Sequence, residues 1–290
     1  MEDLRRRCEE RLQGIRVPIP FNLDAFCAEV AARRGRPLIR RPVPGLSTGA
    51  PCGLWIGTAG ADHVFYDPGT SPLHAEHIVL HEVAHILSGH AGPGTGFGRL
   101  FPDLDPATVE RVLGRAGYPT AQEREAEMMA SLVADAGPAR ADLRAYRAMV
   151  VLRPLWTAMR DAFPEMILFA PRRAVLELAD AGTDDVRLRL YRRVIEIRDG
   201  MLGLRGHLPG SAGFSDEPGE GDRAVVEARA IAVALRRRAA GAPREANPGT
   251  WAPVGPALSD EVAWLSRVSV AYRRITGRAV PPPTPAGSAR

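Results

Sequence analysis

The stretch HIVLHEVAHILSGH, residues 77–90, decides how this chain is read. Ile78, Val79, Leu80, Val83, Ala84, Ile86 and Leu87 bury most of its surface as a helix, which Pro72 opens and which runs to about Ser88. On that helix His81 and His85 lie one turn apart on one face. The spacing lets two imidazole nitrogens reach one ion at about 2.0–2.1 Å. Glu82 points to the side of the pair, within reach of a metal-bound water and off the metal itself. Zinc lowers the pKa of such a water toward about 7, and a carboxylate beside it takes the proton as hydroxide attacks a carbonyl. HEVAH on a core-packed helix is therefore read as a zinc site for peptide hydrolysis, with Glu82 as the base.

Two histidines do not complete such a site, since zinc needs a third protein ligand and an open position. The extension HExxHxxGxxH is missed, because it needs Gly at 88 and His at 91, and the chain has its Gly and His at Gly89 and His90. On a continuous helix His90 would face roughly away from His81, where it is expected to act as a cation at the helix C-terminus. His74 and His77 share the ligand face but lie upstream, so supporting or solvent-exposed roles are expected. The next helix, about 120–136, contains AQEREAEMMASLVAD. It places Glu123 and Glu127 on one face, with Glu125 turned away by about 200°. One carboxylate of this face completes a His, His, Glu set, and another one turn on holds a ligating histidine by its second nitrogen.

Outward from these helices, residues 1–12 and 22–34 read as helices, the second capped by Asn22 and ended by Gly35. Segments 37–43, 53–58 and 63–67 read as strands, the last two a hairpin turning at residues 59–62. A Gly/Pro-rich stretch, 89–106, precedes an expected helix near 107–116. Beyond residue 140 only helical periodicity follows, at 141–162, 172–180, 184–206, 222–240 and 259–276. Leu190, Val194, Ile197, Met201 and Leu204 form a heptad-like seam. The loops 211–222 and 241–258 are expected to be mobile, and the tail after 279 disordered.

The paired motifs resemble the ImmA/IrrE family of zinc metallo-endopeptidases. HEVAH is followed about forty residues later by EREAEMMA, and FYDPGTSPLHAEHIVLHEVAHIL fits the same layout; the likeness covers about residues 20–136. It implies an α+β, zincin-like domain over residues 1–139, acting in the cytoplasm on a helix-turn-helix repressor. By motif position it implies that His81, His85 and Glu123 ligate Zn²⁺, that Glu82 is the catalytic base and that Glu127 supports a histidine. Glu127 stands where Asp or Asn is more usual, and Met128-Met129 replaces a common aromatic. RPLWTAMRDAFPEMIL, LRLYRRVIEIRDGMLGLRGHLP and SDEVAWLSRVSVAYRR resemble a helical region of unassigned function in actinobacterial proteins, some of them membrane-anchored. Residues 140–278 are accordingly expected to be an all-α partner-binding or regulatory domain, with 279–290 as tail.

Composition narrows the alternatives. With 45% apolar and 25% charged residues, 290 residues suffice for one large or two ordinary globular domains. No apolar run approaches a membrane span, and the charged N-terminus carries no signal-peptide core. Cys8, Cys27 and Cys52 suit buried thiols in a reducing compartment. The net charge of +4 comes with 38 basic residues that are all Arg, a bias that fits a GC-rich genome rather than phosphate contacts, so no direct nucleic-acid binding is expected. The competing class is a non-catalytic regulator or toxin-antitoxin component with a structural zinc site. Tyr66, Tyr118 and His90 are the candidates for stabilising an oxyanion.

Overall fold

The computed structural model describes residues 2–46, 53–90, 109–114, 121–134, 143–164, 185–208, 220–245 and 250–277. It is an α+β protein, mostly helical, with one small sheet. In chain order come α1 (Glu2–Leu12), α2 (Leu23–Arg34), β1 (Leu38–Pro42), β2 (Gly53–Thr58), β3 (Asp62–Tyr66), α3 (Pro72–Ser88), β4 (Val109–Gly114) and α4 (Ala121–Ala134). Four long helices follow: α5 (Leu143–Ala162), α6 (Asp185–Leu204), α7 (Glu220–Ala239) and α8 (Leu258–Thr276). The expected tail and the helix at 172–180 lie outside the described residues. Among the described residues no helix is long and apolar enough to cross a membrane.

The sheet order is β1-β3-β2-β4, with β1 parallel to β3 and the other pairs antiparallel. The expected β2–β3 hairpin is present, pairing Gly57 with Asp62. Asp62 locks it: Trp55 Nε1–H donates to Asp62 Oδ1 at 2.9 Å, and Arg36 Nη2 and Arg34 Nε donate at 2.7 and 3.2 Å. Burial alone would raise the Asp62 pKa, but these donors hold it below the usual carboxylate value. The expected helix near 107–116 is a correction: Val109–Gly114 is strand β4, paired along β2. VERVLG is too short to stand alone as a helix, and β2 offers it an otherwise open edge whose backbone groups need partners.

Helix α3 packs on β2 and β3, with α2, α4 and α6 against its other sides. Such wrapping explains why both its apolar and its histidine faces are buried. Ser71 caps it, its Oγ accepting from His74 N, and Pro72 occupies the first turn. Gly89 ends it in the left-handed region at φ 65°, a conformation that glycine adopts without strain.

In the C-terminal half the seam Leu190, Val194, Ile197, Met201 and Leu204 is buried against Leu152, Leu155, Met159, Ile231, Leu265 and Val268. One expectation fails here. The loop 241–258 is anchored in part: Trp251 Nε1–H donates to Met201 O at 3.0 Å, and Ala252 N–H donates to Glu227 Oε2 at 2.9 Å. On α6, the charged residues Arg192, Glu196, Arg198 and Asp199 are all buried. The seam faces α5, α7 and α8, while α3 and α4 cover another face of α6, so charged residues there must find partners inside.

Candidate metal centre

Helices α3 and α4 pack side by side and bring three sequence-predicted residues together. His81 Nε2 lies 2.9 Å from His85 Nε2 and 3.2 Å from Glu123 Oε2, and His85 Nε2 lies 3.5 Å from Glu123 Oε1. One ligand atom from each of His81, His85 and Glu123 falls within 4.8 Å of the others, a group able to hold a metal ion. The donor chemistry fits a divalent cation. Burial pushes His85 down to about 4, despite the opposing Glu123 hydrogen bond, which leaves its ring neutral at ordinary pH. Burial would raise Glu123, but its contacts with His81 and His85 outweigh this and keep it ionised. Two imidazoles and a carboxylate are a zinc-type set.

Glu82 is buried on the side of α3 next to β2 and outside that set. Gly53, at the start of β2, is what lets the strand approach. A Cβ there would lie 2.6 Å from Glu82 Oε1 and 2.7 Å from Ile78 Cγ2.

Each histidine of the set is held from behind. His81 Nδ1 is 3.1 Å from Glu127 Oε1, as expected for the carboxylate one turn after Glu123. The Glu127 carboxylate thus faces the second nitrogen of His81, while Nε2 faces His85 and Glu123. His77 Nε2 lies 3.0 Å from the other Glu127 oxygen, and its Nδ1 lies 3.1 Å from Tyr191 Oη. Burial pushes His77 down to about 4, against the pull of Glu127. Solvent exposure, one of the roles open to His74 and His77, is excluded because both are buried.

Behind His85 stands a residue that periodicity misplaces. His90 is expected to face away, yet its Nδ1 is 2.8 Å from His85 Nδ1. The helix stops at Gly89, so the 100° step no longer applies and the chain folds back; His90 N–H donates to His85 O at 3.1 Å. Burial lowers the His90 pKa, and its Nε2 is 3.5 Å from Glu125 Oε2. Glu125 does leave the Glu123 face, as expected, but pairs with Arg11 and supports His90. Cys8 and Cys27 are buried free thiols, pushed by burial up to about 12 and about 11, so neither offers a thiolate. Cys52 and Tyr118 lie outside the described residues.

Residues 139–274 match the model of DUF6545, a family of unknown function. The match leaves α3 and α4, with the whole candidate centre, outside it. No curated protein and no solved structure matches the chain.

Proposed function

We propose that this chain is a zinc-dependent endopeptidase with a zincin-like catalytic part, cleaving a regulatory protein of the helix-turn-helix repressor class in the cytoplasm. The observation that carries it is the convergence of His81, His85 and Glu123, with Glu82 beside the set and not in it. The choice of substrate rests on the resemblance of the HEVAH and EREAEMMA motifs to the ImmA/IrrE family.

When bound, zinc supplies a Lewis acid that polarises the scissile carbonyl and acidifies a water. Glu82 accepts the proton of the attacking water on its carboxylate and passes it to the departing amine nitrogen. Its packing against Gly53 restricts where that carboxylate can go. Glu127 and His90 hold the rings of His81 and His85 by their second nitrogens.

Glu82→Gln keeps the shape of the side chain and removes its basicity. Metal content and fold are expected to persist while cleavage of a repressor encoded beside the gene falls by about 10²–10⁴-fold. One observation favours a second reading, a regulator with a structural metal: His81, Glu82 and His85 are 4%, 2% and 1% exposed, where catalysis needs an open position. Equal effects of wild type and Glu82→Gln on the partner and on transcription in cells would select that reading.

A further inference from the structure

We propose that the C-terminal helical region completes the metal centre, with Arg192 and Tyr191 of α6 acting as positioning residues for His81 through Glu127 and His77. The inference deepens the proposed function and rests on its metal site at His81, His85 and Glu123.

The contacts form one unbroken path. Glu127 of α4 sits with Oε1 at 3.1 Å from His81 Nδ1. Its Oε2 accepts from Arg192 Nη1, and His77 Nε2 is 3.0 Å from the same oxygen. Arg192 Nη2 donates to Glu196 Oε1 at 3.5 Å, and Trp156 Nε1–H of α5 donates to Glu196 Oε2 at 2.7 Å. Tyr191 Oη, 3.1 Å from His77 Nδ1, fixes which nitrogen of that ring faces Glu127. Three helices thus meet at the Glu127 carboxylate, and Glu196 ties α5 to it through Arg192.

Chemistry gives the path a direction. A carboxylate orients a metal-ligating imidazole only while it is ionised and fixed in place. Glu127 is buried, and an isolated buried carboxylate is strongly disfavoured. Arg192, at 1% exposure, brings the compensating charge, and it comes from within the span that matches the family of unknown function. Arginine suits the task because its planar fork can bind Glu127 and Glu196 through separate nitrogens. Arg198 is a built-in comparison. It is equally buried on the same helix, but its Nε and Nη2 donate to Glu261 of α8 at 2.9 and 2.7 Å, away from the centre.

Full-length wild type, Arg192→Met, Arg192→Lys, Tyr191→Phe and Arg198→Met are compared by zinc competition against a chelating dye and by the Co²⁺ absorption spectrum. Arg192→Met is expected to weaken zinc binding by about 10–100-fold and to alter the Co²⁺ bands. Arg192→Lys, which keeps the charge but loses the fork, is expected to lose less. Tyr191→Phe should give a smaller loss in the same direction, and Arg198→Met should lower stability with wild-type affinity and spectrum. Combined with Glu127→Gln, Arg192→Met should add little, because both act through one carboxylate. Wild-type affinity in folded Arg192→Met, or equal losses in Arg192→Met and Arg198→Met, would overturn the inference. If Arg192→Met does not fold, unchanged binding in both Arg192→Lys and Tyr191→Phe does so. A wild type that binds neither metal would remove the metal reading and this inference together, whereas normal wild-type binding with unchanged variants removes this inference alone.

Discussion

Glu123, Glu125 and Glu127 stand two residues apart on one helix yet do three different things. Glu123 faces the His81 and His85 nitrogens, Glu127 the back of His81, and Glu125 the outer side of His90. Their alanine variants should therefore rank by distance from the candidate metal position. Glu123→Ala is expected to cost the most metal affinity and Glu127→Ala about 10–100-fold. Glu125→Ala should cost less than either, and more than nothing, because it loosens His90 behind His85. Isothermal titration with zinc reads the order, and a loss at Glu125 exceeding that at Glu123 would contradict it. At this scale the sequence was largely legible. Spacings of four within α3 and α4 identify His81, His85, Glu123 and Glu127 without any tertiary information. His90 was not legible, because its placement depends on the backbone leaving the helix at Gly89. Arg192 was not either, since nothing local distinguishes it from the other arginines of α6.

Among the elements, α3 owes its position to β2 on one side and to α4 and α6 on the others, and both contacts are testable. Gly53→Ala would drive a methyl into Glu82 and Ile78, so a destabilisation of about 1–3 kcal/mol is expected. Under the proposed function, peptidase activity should fall further than zinc content, because the displaced group is the proposed base and not one of the proposed ligands; equal losses would argue against that placement. On the α6 side, His77 is buried and pushed down to about 4, below the 6.5 it has unfolded. Between those values the unfolded chain holds the extra proton, so stability rises with pH and is lost as pH falls from about 6.5 to about 4. His85 contributes in the same direction in the metal-free protein. Urea denaturation of the metal-free chain across this range should show the loss, with a shallower slope in His77→Gln. An identical slope would mean that His77 is not held neutral by its burial. Strand β4 shows where element reading ran out: its six residues carry too little pattern to resist the free edge of β2.

Across the whole molecule, the two halves share buried polar contacts as well as apolar ones. His74 Nε2 lies 2.9 Å from Asp199 Oδ1, Arg205 approaches Asp67, and Leu73 packs against the C-terminal core. The sequence divides into an α+β part and a helical part, and among the described residues every regular element after residue 143 is a helix. It did not show how α6 joins them, because pairings more than a hundred residues apart leave no periodic trace. The segment 250–257, expected to be mobile, is pinned by Trp251 under α6. Trp251→Ala should cost about 3–5 kcal/mol in a thermal or urea melt, the range for a buried tryptophan. A change below about 0.5 kcal/mol, typical of surface positions, would restore the mobile loop.

The proposed function requires an ion between α3 and α4, and elemental analysis of the chain purified without added metal decides whether one is held there. One zinc per chain is predicted, with little retained by His85→Ala and full occupancy in Glu82→Gln. No divalent metal in the wild type, and no uptake on titration with zinc, would contradict the centre and the hydrolytic chemistry built on it.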